Sequence, residues 1–277
     1  MVKQKFKTLA CDWLPPAIVR QIRWRRSVGI CFGEEYAFTW QDATENCTGY
    51  DSEGIMEKVL EATLKVKNGE AVYERDSVLF DHIEYSWPVL SGLMWVAARN
   101  NGRLNILDYG GSLGTSYFQN RKFIGALEQI WWNVVEQSHY VEAGQTHIQD
   151  HQLRFYKTIE ECLVENEPNV ILLSSVLQYL EDPLYLIKKF SASKATCLII
   201  DRTPFSSSGV DRLLVQKVSP PIYSASYPIW IFSMSKFLQI LELYWCLIAE
   251  YQSPEGYVNS TNGFEFSFQG LLLELRK

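Results

Sequence analysis

The period of apolar and polar positions changes along the chain, and the change divides it in two. Within residues 39–67, Ile55, Met56, Val59, Leu60, Thr63 and Leu64 form a stripe three to four positions apart, the repeat of an amphipathic helix. Thr39 and Ser52 are candidate N-caps and Asn68-Gly69 supplies a stop. A further helical stretch, Trp87 to Arg99, leads into the first strand. Residues 1–100 are therefore expected to form a basic segment and a mostly helical cap.

From residue 104 short apolar runs alternate with helical stretches. Strands are expected at Leu104 to Asp108, Trp132 to Glu136, Leu153 to Tyr156, Asn169 to Ser174 and Thr196 to Asp201, separated by helices such as 114–130 and 182–190. Such alternation implies an α/β fold with a mostly parallel sheet covered on both faces, here spanning residues 101–277. After Asp201 the alternation lapses into an aromatic, proline-rich segment, 203–232. A helix near Ser233 to Leu243 follows, then strands near Trp245 to Tyr251 and within Phe264 to Arg276. The connection between them, Gln252 to Gly263, is too short for a helical crossover and suits an antiparallel pair.

Candidate chemistry concentrates where the first of the alternating strands ends. Asn105 to Phe118 reads NILDYGGSLGTSYF, an apolar run that meets Asp108 and then three glycines in five residues. That is the composition of a sharp strand-to-helix turn against a ligand. Three chemistries share it. Gly110-Gly111-Ser112-Leu113-Gly114 fits the G-x-S-x-G nucleophile elbow, which needs an acid and then a histidine later in the chain. The last histidine is His151, and the strands after it hold none. A dinucleotide loop needs G-x-G-x-x-G, and the run G-G-S-L-G-T is out of step by one position; an NAD-dependent enzyme with a variant loop stays as an alternative. The third is the first loop of an S-adenosylmethionine (SAM) dependent methyltransferase, acid-x-Gly-x-Gly-x-Gly. Here the chain supplies Asp108, Gly110, Ser112 and Gly114, with Gly111 beside the departing middle position. Small residues admit the ligand close to the backbone, and the following helix points its N-terminus into the site. Asp108 can position the loop and, directly or through water, the cofactor's ammonium group.

Glu136, ending the second strand, has the two acceptor oxygens that a ribose diol calls for. Ligands of open α/β sheets lie beyond the carboxyl ends of the strands. By that rule Thr158 and Ile159 flank an adenine, and Ser174-Ser175 reach the methionine end.

Composition narrows the class. With 277 residues, 47% hydrophobic and 21% charged, the chain has the make-up of one large globular domain or a domain with a cap. No apolar run approaches the ~20 residues of a membrane span. Residues 1–26 lack a secretory h-region, so a cytoplasmic location is expected. Six cysteines form no C-x-x-C pair and four histidines no H-E-x-x-H, so no protein-built metal site is expected. The net charge of -6 conceals an asymmetry: Lys3, Lys5, Lys7, Arg20, Arg23, Arg25 and Arg26 against Asp12 make residues 1–26 +6, which leaves -12 for the rest. The acidic body argues against nucleic-acid binding. Leu14, Ile18 and Ile22 around Pro15-Pro16 suggest a short amphipathic helix, either docked on its own acidic domain or touching an anionic membrane surface.

With the bend joined by WNVVEQ, LLSSVLQYLEDP and IIDRTPF, the chain resembles class I SAM-dependent methyltransferases. Val176 to Pro183, VLQYLEDP, is similar to the stretch after their fourth strand. More closely, GYDSEGIMEKVLEATLKVKNGEAVYERDSVLFDHIEYSWP, GGSLGTSYFQNRKF, VQKV and YSASYPIWIFS resemble a bacterial methyltransferase family associated with surface-polysaccharide (lipopolysaccharide and O-antigen) loci, over about residues 30–250. The resemblance implies a Rossmann-like, seven-stranded, mostly parallel sheet of order 3-2-1-4-5-7-6 with the last strand antiparallel. It also implies SAM as cofactor and a sugar or glycolipid precursor as substrate. A non-catalytic SAM-fold scaffold of polysaccharide assembly is the alternative from another class.

For an acceptor hydroxyl, Asp201 is the first candidate base and Arg202 a candidate for orienting an anionic substrate; a structural Asp201–Arg202 bridge is an equal reading. Tyr179, Tyr223, Tyr227 and Trp230 offer an aromatic lining for a sugar face, with core packing as the alternative. In Tyr73-Glu74-Arg75-Asp76, Arg75 is a candidate partner for the cofactor carboxylate, against a solvated turn.

Overall fold

The computed structural model describes residues 30–35, 39–49, 54–219, 222–261 and 263–276. The basic segment 1–26 and the Ser52 cap lie outside them. The first elements are β1 (Ile30–Glu35), α1 (Trp40–Glu45), α2 (Ile55–Lys67), β2 (Tyr73–Arg75), β3 (Val78–Phe80) and α3 (Trp87–Arg99). Next come β4 (Arg103–Tyr109), α4 (Thr115–Ile124), β5 (Gln129–Val135), α5 (Ser138–Ala143), β6 (Leu153–Tyr156), α6 (Ile159–Glu165), β7 (Val170–Ser174) and α7 (Pro183–Ser191). The chain continues through β8 (Cys197–Ser206), β9 (Arg212–Val218), β10 (Ala225–Ser233), α8 (Met234–Leu241), β11 (Trp245–Asn259) and β12 (Glu265–Leu275).

Thr39 caps α1, its hydroxyl accepting from the Asp42 amide, and Asn68 closes α2 ahead of Gly69, whose φ is +78°. Strands β4 to β8 pair in parallel in the order β6-β5-β4-β7-β8, and β12 lies antiparallel between β8 and β11. Counted along the alternating region, this is the expected order 3-2-1-4-5-7-6.

Side chains alternate across the sheet, as the two-residue period of a strand requires. Ile106, Leu172 and Ile199 face one core with Val59 of α2, Leu93 of α3 and Trp132. Leu107, Leu173 and Ile200 face the other with Phe190 of α7, Phe237 of α8 and Trp245. Strands buried on both faces read as unbroken apolar runs, which is why β4 and β7 are found within a residue or so of their expected bounds.

The segment 203–232 departs from expectation. Where the alternation lapsed in the sequence it holds the outer half of β8 and the strands β9 and β10, which with β1 extend the sheet in the order β8-β10-β9-β1. Pro204 lies inside β8 and Pro228 inside β10. Proline cannot donate to a ladder, so its presence argues against a strand in the sequence; here tertiary pairing overrides it. The first hundred residues likewise hold strand β1 and the hairpin β2–β3 beside their helices.

Phe237 packs against Phe205 and Phe232, each ring 5.1 Å away, and is 2% exposed. Truncating it to alanine is expected to cost about 3–5 kcal/mol of unfolding free energy, measured by urea denaturation; a loss below about 1 kcal/mol would contradict this packing.

Candidate active site

At the tip of β4 the chain turns on residues that side chains would obstruct. The Gly110 amide donates to the Val135 carbonyl at 2.9 Å, its φ is +73°, and a Cβ there would run into Val176. A Cβ on Gly111 would stand 2.5 Å from Oδ2 of Asp108. Asp108 thus lies directly beneath the bend, 1% exposed, its Oδ2 accepting from the Trp132 indole N–H at 2.8 Å. Burial pushes its carboxyl up to about 7, with the Glu136 charge adding to the rise and the Trp132 hydrogen bond and the Arg202 charge opposing it. Beyond the bend, Gly114, with φ +90°, begins α4.

Glu136 follows β5 and reaches back to the same bend. Its Oε1 accepts from the Ser112 amide at 3.3 Å, and its Oε2 from the Gln137 amide at 2.7 Å. The bend and two neighbouring strand tips therefore form one constellation, as the sequence suggested.

A second constellation sits at the tips of β7 and β8, where Ser174 and Asp201 pair in register. Asp201 is 2% exposed. Its Oδ2 accepts from Ser174 Oγ at 2.9 Å, and its Oδ1 from Tyr251 Oη at 3.0 Å and Ser86 Oγ at 3.4 Å. Arg202 Nε lies 3.6 Å from the same carboxylate and donates to Ser174 Oγ at 3.3 Å. Burial works against the Arg202 charge, but Asp201, Glu255, Tyr73 and Asp76 outweigh it and raise its pKa. Tyr251 reaches Asp201 across β12 because its partner in the ladder is Gly270, where a Cβ would fall inside the tyrosine ring. Ser112, Ser175 and Arg202 all hold left-handed φ, 53°, 56° and 48°, and strained backbone of this kind gathers at functional sites.

The hairpin β2–β3 covers this region. Tyr73 and Glu74 are buried, and Glu74 Oε1 accepts from Thr115 Oγ1 at 2.5 Å. Burial pushes the Glu74 carboxyl up to about 7; Asp76 raises it further, while the Thr115 hydroxyl, the Ser77 amide and Arg202 oppose the rise. Burial also pushes the Tyr73 phenol up to about 12. Arg75 pairs with Glu255 at 3.5 Å and Glu84 at 3.7 Å. A polar cleft lies here, lined by Arg75, Glu84, Ser86, Val89, Ser116, Gln119, Ser174, Asp201, Arg202 and Pro254.

The structure thus brings together Asp108, Gly110, Gly111, Ser112, Gly114 and Glu136 at the bend, and Arg75, Ser174, Asp201 and Arg202 at the cleft. Ser175 lies beside the latter, its amide donating to the Asp201 carbonyl at 2.9 Å and its Oγ accepting from Gln178 at 3.1 Å.

The remaining candidates make contacts of their own. Asp201 accepts hydrogen bonds at both oxygens and stands 3.6 Å from Arg202 Nε, the geometry of the bridge reading. Thr158 spends its hydroxyl capping α6 on the Glu161 amide, and Ile159 is buried in the core. Tyr223 and Tyr227 are buried, and Tyr179, Gln216, Tyr227 and Tyr223 join hydroxyl and amide in a chain of contacts of 3.1–3.4 Å. Their hydroxyls form a wall beside the site. Trp230 stacks on Trp40 and donates to the Leu180 carbonyl. Missing from the sequence reading were Trp132, Tyr251, Gly270, Ser86 and Glu74. Only Glu74 had a signal, its place in the charged Tyr73–Asp76 turn.

The strand order, with one antiparallel strand between its fifth and sixth, is that of a known architecture. The chain has the Rossmann-like class I methyltransferase fold. No protein-family model matches it, and no curated protein matches it in sequence. Among solved structures it is similar to the N-terminal domain of EvdMO1, determined in the presence of SAH and D-fucose, at 12% identity and a TM-score of 0.48, over 79% of this chain and 97% of that one. It is also similar to a S-adenosylmethionine-dependent methyltransferase from Clostridium acetobutylicum ATCC 824, at 10% identity and a TM-score of 0.45, over 80% and 99%. A third is magnesium protoporphyrin IX methyltransferase (ChlM) from Synechocystis PCC 6803 with bound SAH, at 14% identity and a TM-score of 0.44, over 80% and 100%. Among the described residues no helix is long and apolar enough to cross a membrane, and no cluster of His, Cys, Asp and Glu is arranged to hold a metal ion.

Two consequences of this geometry can be measured. Asp108 titrates near 7 when folded and near its ordinary 3.8 when unfolded, so between these values the folded state binds the extra proton. Its contribution to stability is therefore greatest below about pH 4 and is lost as pH rises toward about 7. In urea unfolding, wild type should lose more stability between about pH 5 and 7.5 than Asp108→Asn; equal losses would contradict the buried carboxyl. Gly270→Ala should destabilise by about 1–3 kcal/mol through displacement of Tyr251, read from the urea midpoint, and an unchanged midpoint would show that Tyr251 does not cross there.

Proposed function

We propose that the chain is a SAM-dependent methyltransferase that O-methylates a sugar or glycolipid precursor of a bacterial surface polysaccharide. The observation that carries this reading is the reach of Glu136 to the Ser112 amide, which unites a strand-end carboxylate with the glycine bend at the carboxyl edge of a parallel sheet. A nucleoside with a sulfonium and an α-amino acid fits what surrounds that contact. Gly110 and Gly111 keep the bend free of side chains, Glu136 offers paired acceptors for a ribose diol, and Asp108 beneath the bend prefers a cationic neighbour.

Glu136 and the glycine bend would hold SAM, which would supply a methyl group to an acceptor hydroxyl, leaving SAH and a proton. The chain's own part is alignment and exclusion of water. The bend admits one reactant close to the backbone, because Gly110 and Gly111 carry no side chains. Asp201, saturated by Ser86, Ser174 and Tyr251, holds the Arg202 guanidinium at the cleft, where it suits an anionic group of an acceptor.

A sugar-like acceptor is supported by the lining of the cleft and by its mouth. Serine, glutamine, arginine and glutamate side chains suit hydroxyl groups. Next to Glu84 and Ser86, the rings of Tyr85, Trp87 and Phe123 meet at centroid distances of 4.9–5.6 Å. Trp87 is 56% exposed, so its face is open to the apolar side of a sugar ring.

Isothermal titration tests the reading. Wild type should bind SAM and S-adenosylhomocysteine (SAH) at micromolar levels and NAD not at all, and Glu136→Ala should weaken SAH by about 10- to 100-fold, as expected for loss of charge-assisted hydrogen bonds. Absence of SAM and SAH binding, or tight NAD binding, would overturn it. Surface glycans compared with and without the protein should differ by a methyl group.

A further inference from the structure

Resting on the reading of the bend as a SAM site, we infer that Glu74 receives the α-ammonium group at the amino-acid end of the cofactor, so that hairpin β2–β3 is part of the cofactor site. The inference starts from an unfinished hydrogen-bond account. Glu74 is 1% exposed, and its Oε1 is fixed by Thr115 Oγ1, the residue immediately after Gly114. Its other oxygen, Oε2, is buried and accepts no hydrogen bond among the described residues, and the nearby Ser77 amide eases the cost of the buried carboxyl only in part. Buried polar atoms are nearly always paired, and an orphaned carboxylate oxygen is among the costlier exceptions.

Neighbouring charges do not settle that cost. Asp76 is negative, the Arg202 guanidinium is engaged with Asp201 and Ser174, and no described basic side chain forms an ion pair with Glu74. An arriving group that donates and carries positive charge would complete the account, and an ammonium does both with three donors on one compact atom. The position also fits. Thr115 opens the helix that leaves the bend, and its neighbour Ser116 lines the cleft together with Arg75, the residue after Glu74. A zwitterionic amino-acid end therefore meets a carboxylate and a guanidinium on one hairpin. The turn that joins its strands, Asp76-Ser77, holds both residues at left-handed φ, 52° and 68°, which fixes the hairpin tightly.

The test is a cycle of titrations on the full chain. The ligands are SAH, its desamino analogue and 5′-methylthioadenosine, which keeps the nucleoside thioether and lacks the amino acid. Wild type should bind desamino-SAH about 10- to 100-fold more weakly than SAH, and in Glu74→Gln that gap should close while methylthioadenosine binds as before. If Glu74→Gln does not fold, Glu74→Asp takes its place and should weaken SAH while sparing methylthioadenosine. A full desamino penalty surviving in the variant, no penalty in wild type, or parallel loss of methylthioadenosine would overturn the inference while leaving the SAM reading intact. Wild type that binds none of the three removes the SAM reading itself, and the inference with it.

Discussion

Everything at the bend depends on a carboxyl enclosed beneath a residue that has no side chain. Burying Asp108 costs solvation, and a single indole donor, Trp132 Nε1, returns part of it. That donor is in reach because of strand arithmetic. Asp108 follows Leu104 and Ile106 on one face of β4, and Trp132 stands on the same face of β5, opposite Ile106 in the parallel register. Slipping β5 by one residue would carry the indole to the opposite core. The apolar pattern that packs the sheet therefore also sets the electrostatics of the site, and Gly111 is the clearance that lets the acid remain.

Asp201 shows the opposite solution to the same problem. Three hydroxyl donors and a guanidinium surround it, and a carboxylate so supplied is a structural anion. Its donors come from four places in the chain: the start of α3, the tip of β7, the residue next to it and β11. They therefore knit the cap to the sheet as well as holding Arg202. The long β8 makes this possible, since it runs five residues past Asp201 and lends its outer half to β10. The extra strands carry a chain of tyrosine hydroxyls and the Gln216 amide beside the site.

The sequence reading succeeded where one physical cause dominates. Central parallel strands must be apolar on both faces, so β4 and β7 were legible as runs, and their order came with the resemblance. The place of Glu136 beside the bend was legible because strand ends at a sheet's carboxyl edge are where ligands bind. It failed where competing causes share one signature. The strands within 203–232 left no clear pattern because Pro204 and Pro228 sit inside paired strands, and buried and exposed tyrosines look alike in a sequence. The Tyr251–Gly270 crossing depends on a register between distant strands and leaves no local trace. Glu74 looks like any acid in a charged turn, because burial of a single carboxylate is decided by the hairpin packing onto α4 and not by its neighbours in the chain.

The two solutions give the cleft a direction. Asp108, Glu136 and Glu74 gather around the glycine bend and the first turn of α4, whereas Arg75 and Arg202 line the cleft toward β8. On the proposed reading this polarity orients both reactants, the cation toward the carboxyls and an anionic acceptor toward the guanidiniums. Burial pushes two of the three carboxyls, Asp108 and Glu74, up to about 7. On the same reading, a cationic group arriving beside them would favour their charged forms, so binding of the cation and ionisation of the carboxyls would be coupled.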